Sequence, residues 1–292
     1  MKRRPPASAP AGASVRVSAP PRGARVAPYA APRSSGGGAV SGQGFPLYLT
    51  TEAPCPYLPG RRERRVVAFL DDLPPAAFDR LIAQGWRRSG HVLYRPVCRT
   101  CASCIPVRIP VARFRWSRTF RRVWKRNAHL RWSEREPRAT DEQYALFRRY
   151  VGARHAEGGM DGMDWEEYRA LVEDAASGTF VGEFREPDGR LVAVTLSDRT
   201  ADGLSGVYKF YDPDLAGRSP GTFVVLWHVV RAAELGLPYV YLGYWIPQCP
   251  KMAYKARYRP LERLGPGEVW EPLEPEAADG TVCAEDGRDG AG

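Results

Sequence analysis

The sequence predicts an α+β fold: a mixed sheet with flanking helices, preceded by a smaller α+β domain. Three observations carry that expectation. Residues 179–213 hold three β-type runs in succession, TFVGEFRE, RLVAVTLSDRT and LSGVYKFYDP. Two helix patterns, DEQYALFRRYVGARH and DWEEYRALVEDAA, come before them, and the helix SPGTFVVLWHVVRAAELG and strand PYVYLGYWI come after. Helices, a strand run, then one more helix and strand is an α+β order. A separate block of strand and helix patterns lies upstream, around a group of cysteines.

Composition marks the boundaries. Residues 1–40 are Ala, Pro, Gly, Ser and Arg without a single acid. Such a segment buries too little apolar surface to offset its ordering entropy, and is expected to be a disordered extension. The tail 275–292, rich in Gly, Asp, Glu and Ala, is expected to be disordered too. Between them, residues 45–135 form the smaller domain and 136–274 the larger one.

In the first block RRVVAFLDD (64–72) reads as a strand. LPPAAFDRLIAQGW reads as a helix, with Pro74 and Pro75 at its start and Gly85 at its end. HVLYRPVC is strand-like and leads into the cysteines, VRIPVARF is a further β-type run, and TFRRVWKRNAHL has helical spacing. In the second block Asp141 and Glu142 favour the first turn of one helix. Asp164 is suited to cap the next, with Glu167 at the capping-box position. Pro187-Asp188-Gly189 joins the first two strands as a hairpin. Pro220 opens the helix that Gly236 closes.

The chain of 292 residues carries a formal charge of +10, which favours an anionic partner, nucleic acid above all. No run reaches the roughly 18 apolar residues of a membrane span. The N-terminus has no apolar secretory segment, and three of six cysteines cluster. A reducing, cytoplasmic location is therefore expected.

Three stretches could carry chemistry. CRTCASC places Cys98, Cys101 and Cys104 at C-x2-C-x2-C spacing, and Cys55 could add a fourth sulfur. Such a set suits a structural zinc or an iron–sulfur cluster, the alternative being small buried residues in a turn. Cys249 and Cys283 stand alone. RFRWSRTFRRVWKRN (113–127) holds seven cations and no acid. On a helix, Arg118, Arg121, Arg122, Lys125 and Arg126 form one cationic face, suited to a phosphate backbone, while Phe120 and Trp124 face inward. Third, a strand ending in FYDPD leads to Ser219-Pro220-Gly221-Thr222 at a helix start, where backbone N–H groups favour an anion or a developing oxyanion. Arg218-x-x-Gly221 partly matches the pyrophosphate loop of acetyltransferase-like folds. There is no GxGxxG, P-loop or HExxH, and His91, His155 and His228 are expected to be structural.

CPYLPGRRERR, YRPVCRTCASCIPVRIPVARFRWSRTFRRVWKRN, GGMDGMDW, VYKFYDPDLAGRSPGTF and YVYLGYWIPQCPKMAYKARYRPLE, in this order, resemble the bacterial aspartate/glutamate leucyltransferases, relatives of the arginyl-tRNA–protein transferases. The resemblance covers about residues 45–265. Pro220 stands where leucine is expected, and WSRTFRR replaces the commoner SRSQRR.

The resemblance implies an acetyltransferase-like (GNAT-type) sheet in which aminoacyl-tRNA replaces acyl-CoA. It implies an enzyme moving leucine from leucyl-tRNA to the N-terminal Asp or Glu of a protein, which then becomes a degradation substrate. The reaction requires no cofactor, because the aminoacyl ester is already activated; the cysteines fit a structural metal. Lys251, Lys255 and Arg257, with Arg218, are the expected cations for the acceptor's carboxylate. Tyr244, Trp245 and Tyr254 are expected to stack the terminal adenine or wall the pocket. Tyr211 and Asp212 are placed to orient the amine or pass a proton. Three other readings remain open: an arginyl-tRNA donor, a small-molecule acetyltransferase, and a non-catalytic, metal-stapled nucleic-acid-binding protein.

Overall fold

The computed structural model describes residues 27–28, 44–74, 76–154 and 162–274. The expected terminal extensions fall outside these residues, apart from a two-residue strand. His155 and the first part of GGMDGMDW also lie outside them.

Short strands dominate the N-terminal part: β1 (Ala27–Pro28), β2 (Tyr48–Leu49), β3 (Ala53–Pro54), β4 (Arg62–Glu63) and β5 (Arg65–Phe69). Helix α1 (Ala77–Ala83) ends at Gly85, whose φ of +83° lets the chain reverse into β6 (Arg87–Ser89) and β7 (Val92–Pro96). These strands make a five-stranded sheet in the order β1-β2-β5-β7-β6, and β3 pairs with β4 separately.

Next come β8 (Ile105–Pro110), α2 (Arg118–Asn127), β9 (Arg131–Arg135), α3 (Asp141–Arg154) and α4 (Trp165–Glu173). Strands β10 (Thr179–Arg185), β11 (Leu191–Arg199) and β12 (Gly203–Tyr211) follow as an antiparallel meander. The turn between β10 and β11 uses Gly189 at φ +97°, as Pro-Asp-Gly predicts. Helix α5 (Pro220–Glu234) crosses over to β13 (Tyr239–Trp245), and α6 (Pro250–Ala253), β14 (Glu262–Leu264) and β15 (Trp270–Pro272) complete the described chain.

The large sheet has the order β15-β14-β8-β13-β12-β11-β10-β9. Only β12 and β13 run parallel; the other pairs are antiparallel. The expected mixed sheet with flanking helices is present. Its strands come from both sides of the expected 135/136 boundary, since β8 and β9 precede residue 136. β8 sits inside the sheet because β13 is apolar on both faces and needs a partner along each edge. Val240, Leu242 and Trp245 of β13 join the main core, while Tyr241, Tyr244 and Ile246 pack against the smaller sheet.

The two faces of the large sheet carry different helices. Phe180 and Phe184 of β10 meet Trp227 of α5. On the other face, Phe147 of α3 and Tyr168 of α4 pack on Phe210. The predicted capping box is made in full: Asp164 accepts from Glu167 N at 2.8 Å, and Asp164 N donates to the Glu167 carboxylate at 3.1 Å.

Candidate active site

Strands β12 and β13 share register only over Gly203–Ser205 and Tyr239–Tyr241, then separate. Each carries one extra residue where they part, Val207 opposite β11 and Leu242 opposite β8. Such bulges bend a strand and raise its twist. The resulting crevice lies at the carboxyl ends of the two strands, beside the N-terminus of α5. In open sheets with a crossover helix, this is where ligands enter.

Arg87 of β6 fills the base of the split. Its guanidinium donates to Ser205 Oγ at 2.9 Å and to the Gly206 carbonyl. Gly243 makes room for it: φ is +76° there, and a Cβ would stand 2.7 Å from Arg87 Nε. The next residue, Arg88, binds Asp198 with two hydrogen bonds of 2.9 and 2.7 Å, both side chains buried. Sequence reasoning missed β6 because RRS carries no apolar periodicity; both arginines point into the large sheet.

Above Arg87 lie three more cations. Lys209 of β12 is 7% exposed, and its Nζ donates to the Gly221 carbonyl at 2.6 Å. Burial, helped by the nearby Arg257 charge, lowers its ammonium from the usual 10.5 to about 7. Lys255 is 1% exposed and donates to the Tyr244 carbonyl, with Met252 Sδ at 3.6 Å. Burial, then Arg87 and Lys209, pushes its pKa far below that of an ordinary lysine. Arg257 is exposed at the rim, where it donates to Thr222 Oγ1 at 2.7 Å and lies over the half-buried Tyr254 ring, 5.6 Å from its centroid. Among the described residues no ion pair joins any of these four cations to a carboxylate.

The structure therefore revises the expectation for Lys255, which points into the protein instead of toward an acceptor. Lys251 is exposed on α6, and Arg257 is open to solvent. Lys209 went unrecognised because it sits in the middle of an apolar strand pattern, with no local sign that it faces a crevice.

Tyr244 and Trp245 are also buried. Tyr244 is 3% exposed, with its hydroxyl on the Gly85 and Tyr94 carbonyls at 3.0 and 3.2 Å, and Trp245 Nε1 donates to the Ala253 carbonyl at 3.2 Å. Neither ring is offered to an adenine. Of the three aromatics only Tyr254 keeps part of its surface open.

Asp212 and Arg218 turn out to be structural anchors. Asp212 is buried between Arg149 at 2.9 Å and Arg190 at 2.7 Å, and accepts from Asp214 N at 3.1 Å. Both oxygens of this carboxylate are therefore taken up by the two arginines and the Asp214 amide. Arg218 pairs with Glu186 at 2.6 Å, and Glu186 holds His129 at 2.9 Å. Ser219 adopts the left-handed conformation (φ 56°, ψ 54°) and accepts on its carbonyl from Thr222 N and Phe223 N, both at 3.0 Å. This sharp entry turns Gly221 toward the crevice. A Cβ on Gly221 would lie 3.2 Å from the buried Tyr211 ring and 3.6 Å from Lys209 Nζ.

Helix α2 flanks this mouth. Ser117 Oγ caps it by accepting from Phe120 N at 3.1 Å. Asn127, buried at its end, donates to the Arg218 carbonyl at 3.0 Å, and Arg126 reaches the Gly217 carbonyl at 3.2 Å. Trp124 packs on Phe223 of α5, and Phe120 stacks on Tyr258 at 5.1 Å. The opposite face presents Arg118, Arg121, Arg122, Lys125 and Arg126, all exposed, as the spacing predicts.

Cys55, Cys98, Cys101 and Cys104 line one pocket together with Tyr57 and Tyr244, and all four are free thiols. Burial, then the other three cysteines, raises the Cys104 thiol to about 12. Among the described residues no group of three or more His, Cys, Asp or Glu is gathered as a ligand set for a metal ion. The thiols fit a soft metal in kind but are not drawn together around one point, so no catalytic step is routed through them.

Comparison with known proteins identifies the family. The model described as "Arginine-tRNA-protein transferase, C terminus" matches residues 142–265, and the corresponding N-terminus model matches 53–122. A Parvibaculum lavamentivorans protein named aspartate/glutamate leucyltransferase is 52% identical over 75% of this chain and 92% of its own length. Proteins of the same name from Gluconacetobacter diazotrophicus and Paramagnetospirillum magneticum are 48% and 47% identical, covering 80% and 79% of this chain and 91% and 97% of their own. The L-PGS structure from Bacillus licheniformis aligns at TM-score 0.38 and 15% identity over 49% of this chain and 47% of its own, too slight a match to argue from. On the family models and these relatives, the chain belongs to the arginine-tRNA–protein transferase family.

Proposed function

We infer that this protein transfers leucine from leucyl-tRNA to the N-terminal Asp or Glu of other proteins. Relatives near 50% identity carry that activity in their name, and they are matched over almost their whole length. The structural observation behind the reading is the crevice between β12 and β13: cations without carboxylate partners lie at its base and rim, with a basic helix beside its mouth.

The chemistry follows from the substrates. The neutral α-amine of the acceptor attacks the ester carbonyl carbon, a C–N bond forms, and the C–O bond to the tRNA ribose breaks. The proton released by the amine ends on the ribose oxygen. An ester is activated before it arrives, so the protein's task is to hold amine and carbonyl together and to stabilise the oxyanion. The first turn of α5 at Gly221 supplies the backbone dipoles for that oxyanion. Cations lining the crevice attract the acceptor's carboxylate and also disfavour its α-ammonium, which leaves more of the attacking amine form. On α2, Arg118, Arg121, Arg122, Lys125 and Arg126 bind tRNA phosphates, and Tyr254 with Arg257 meets the acceptor end.

In this reading the fold is acetyltransferase-like: the splayed parallel pair, the bulge in β12 and the crossover helix between them support it. The four cysteines share one pocket, and theirs are the thiols that would hold a structural zinc or iron–sulfur cluster.

The test is transfer of radiolabelled leucine or arginine from charged tRNA to peptides beginning with Asp, Glu, Lys or Ala. Leucine incorporation confined to the acidic N-termini is expected. Arginine incorporation would keep the mechanism and change the donor. No transfer with tRNA still bound would leave a nucleic-acid-binding protein, and a requirement for CoA would indicate a small-molecule acetyltransferase.

A further inference from the structure

We propose that Lys209 is the counter-ion for the acceptor's side-chain carboxylate. The proposal rests on the acceptor reading above.

Elimination among the four cations comes first. Arg87 is engaged by Ser205 and Gly206. Lys255 is sealed beneath the Tyr244 carbonyl. Arg257 stands at the exposed rim and holds Thr222. Lys209 uses one of its three N–H donors, on the Gly221 carbonyl at 2.6 Å. Opposite it on β11 lies Thr195, an uncharged residue. Over Nζ stands Gly221, where a Cβ would lie 3.6 Å away, and Lys209 keeps 7% of its surface exposed against 1% for Lys255.

Pairing elsewhere in the molecule sharpens the point. Buried Arg65, Arg88 and Arg108 each have a carboxylate partner, Glu63, Asp198 and Glu262 respectively. Lys209 is as secluded as these and has none among the described residues. A buried cation without an anion is costly, and an arriving carboxylate relieves that cost. The titratable and charged groups around it are Arg257, Lys255 and Tyr254 after β13, Arg87 from β6, His228 from α5, and Tyr211 beside Gly221. None of them is an acid, so the acceptor itself supplies the negative charge.

Two consequences separate this role from a merely structural one. An N-terminal Asn is the same shape as Asp but brings no charge, so the site discriminates between them through Lys209. Free Lys209 titrates near 7 but must be protonated in the complex. Preference for Asp over Asn is therefore constant below about pH 7 and declines above it. The side-chain carboxylate of Asp raises its α-amine pKa relative to that of Asn, so each peptide's amine is titrated free in solution and divided out of the ratio.

The experiment is equilibrium binding of fluorescent peptides beginning with Asp or Asn to the full-length chain and its Lys209→Met and Lys209→Arg variants, from pH 6 to 9, with leucyl-tRNA binding measured alongside. Removing one partner of a buried charge pair weakens Asp binding by about 30-fold or more, leaving Asn and tRNA binding unchanged. Lys209→Arg keeps the charge at every pH, and its Asp-to-Asn ratio stays flat where the wild-type ratio falls. An unchanged ratio in Lys209→Met, or equal loss for both peptides, overturns the proposal. If Lys209→Met does not fold, a Lys209→Arg ratio that falls with pH as the wild type's does overturns it instead. Failure of leucine transfer in the wild type would sink the functional reading alone, because these binding ratios need no transfer.

Discussion

Single side chains set most of the character of this site. Lys209 has a folded pKa below its unfolded value, so the unfolded chain holds the proton more tightly. Its cost to stability is full below about pH 7, shrinks as pH rises, and vanishes above the ordinary lysine value of 10.5. Lys209→Met is therefore expected to raise Tm at pH 6–7, with the gain fading toward pH 10, as calorimetry across that range would show. A stabilised but less selective protein is the usual trade at a binding site. Arg88 is the opposite case, since it neutralises Asp198 inside the molecule. Arg88→Ala leaves a buried carboxylate unpaired and should cost about 3–5 kcal/mol in denaturant unfolding; a loss under 1 kcal/mol would mean that water reaches the pair. Neither role is visible in the sequence, where RR at 87–88 resembles any other basic dipeptide of this arginine-rich chain.

At the level of elements, α2 was legible almost completely. Its cationic face and its inward Phe120 and Trp124 follow from local spacing, and both are present. Only its place beside α5 depends on contacts distant in sequence, through Asn127 and Arg126 to the 217–218 carbonyls. Arg121→Glu with Arg122→Glu should reverse part of that face, weaken tRNA binding by at least tenfold at low salt, and flatten the salt slope by about two phosphate contacts. An affinity and slope matching wild type would take α2 out of the tRNA site. The segment after β13 was legible only in composition. The same aromatic–cation string holds exposed Lys251 and Arg257, half-buried Tyr254, and buried Lys255 and Tyr258. Alternation of Lys, Arg and Tyr along a turn does not reveal which side faces the core, because that depends on the smaller sheet packing over β13.

Across the whole molecule, the unit is the eight-stranded sheet and what docks on it. β8 supplies the antiparallel neighbour of β13 and β9 covers the far edge, so a fragment starting at residue 136 loses both. Such a fragment should fail to give a cooperative thermal transition, whereas the full chain should unfold with the two sheets coupled through β13, Arg87 and Arg88. Near-UV circular dichroism of the fragment would decide it, a native-like signal counting against this coupling.

What the sequence determined by itself was local: the helices with their caps, the β10–β11 hairpin, the long strands, the cationic helix face, and the motifs that carry the family resemblance. Each rests on spacing within about a dozen residues, where propensity, capping and periodicity act. Tertiary structure alone decided which residues make the crevice. Arg87, Lys209, Gly221 and Arg257 meet there from four elements, and burial, which depends on every element at once, sets the charge state of Lys209 and turns Lys255 and Tyr244 inward.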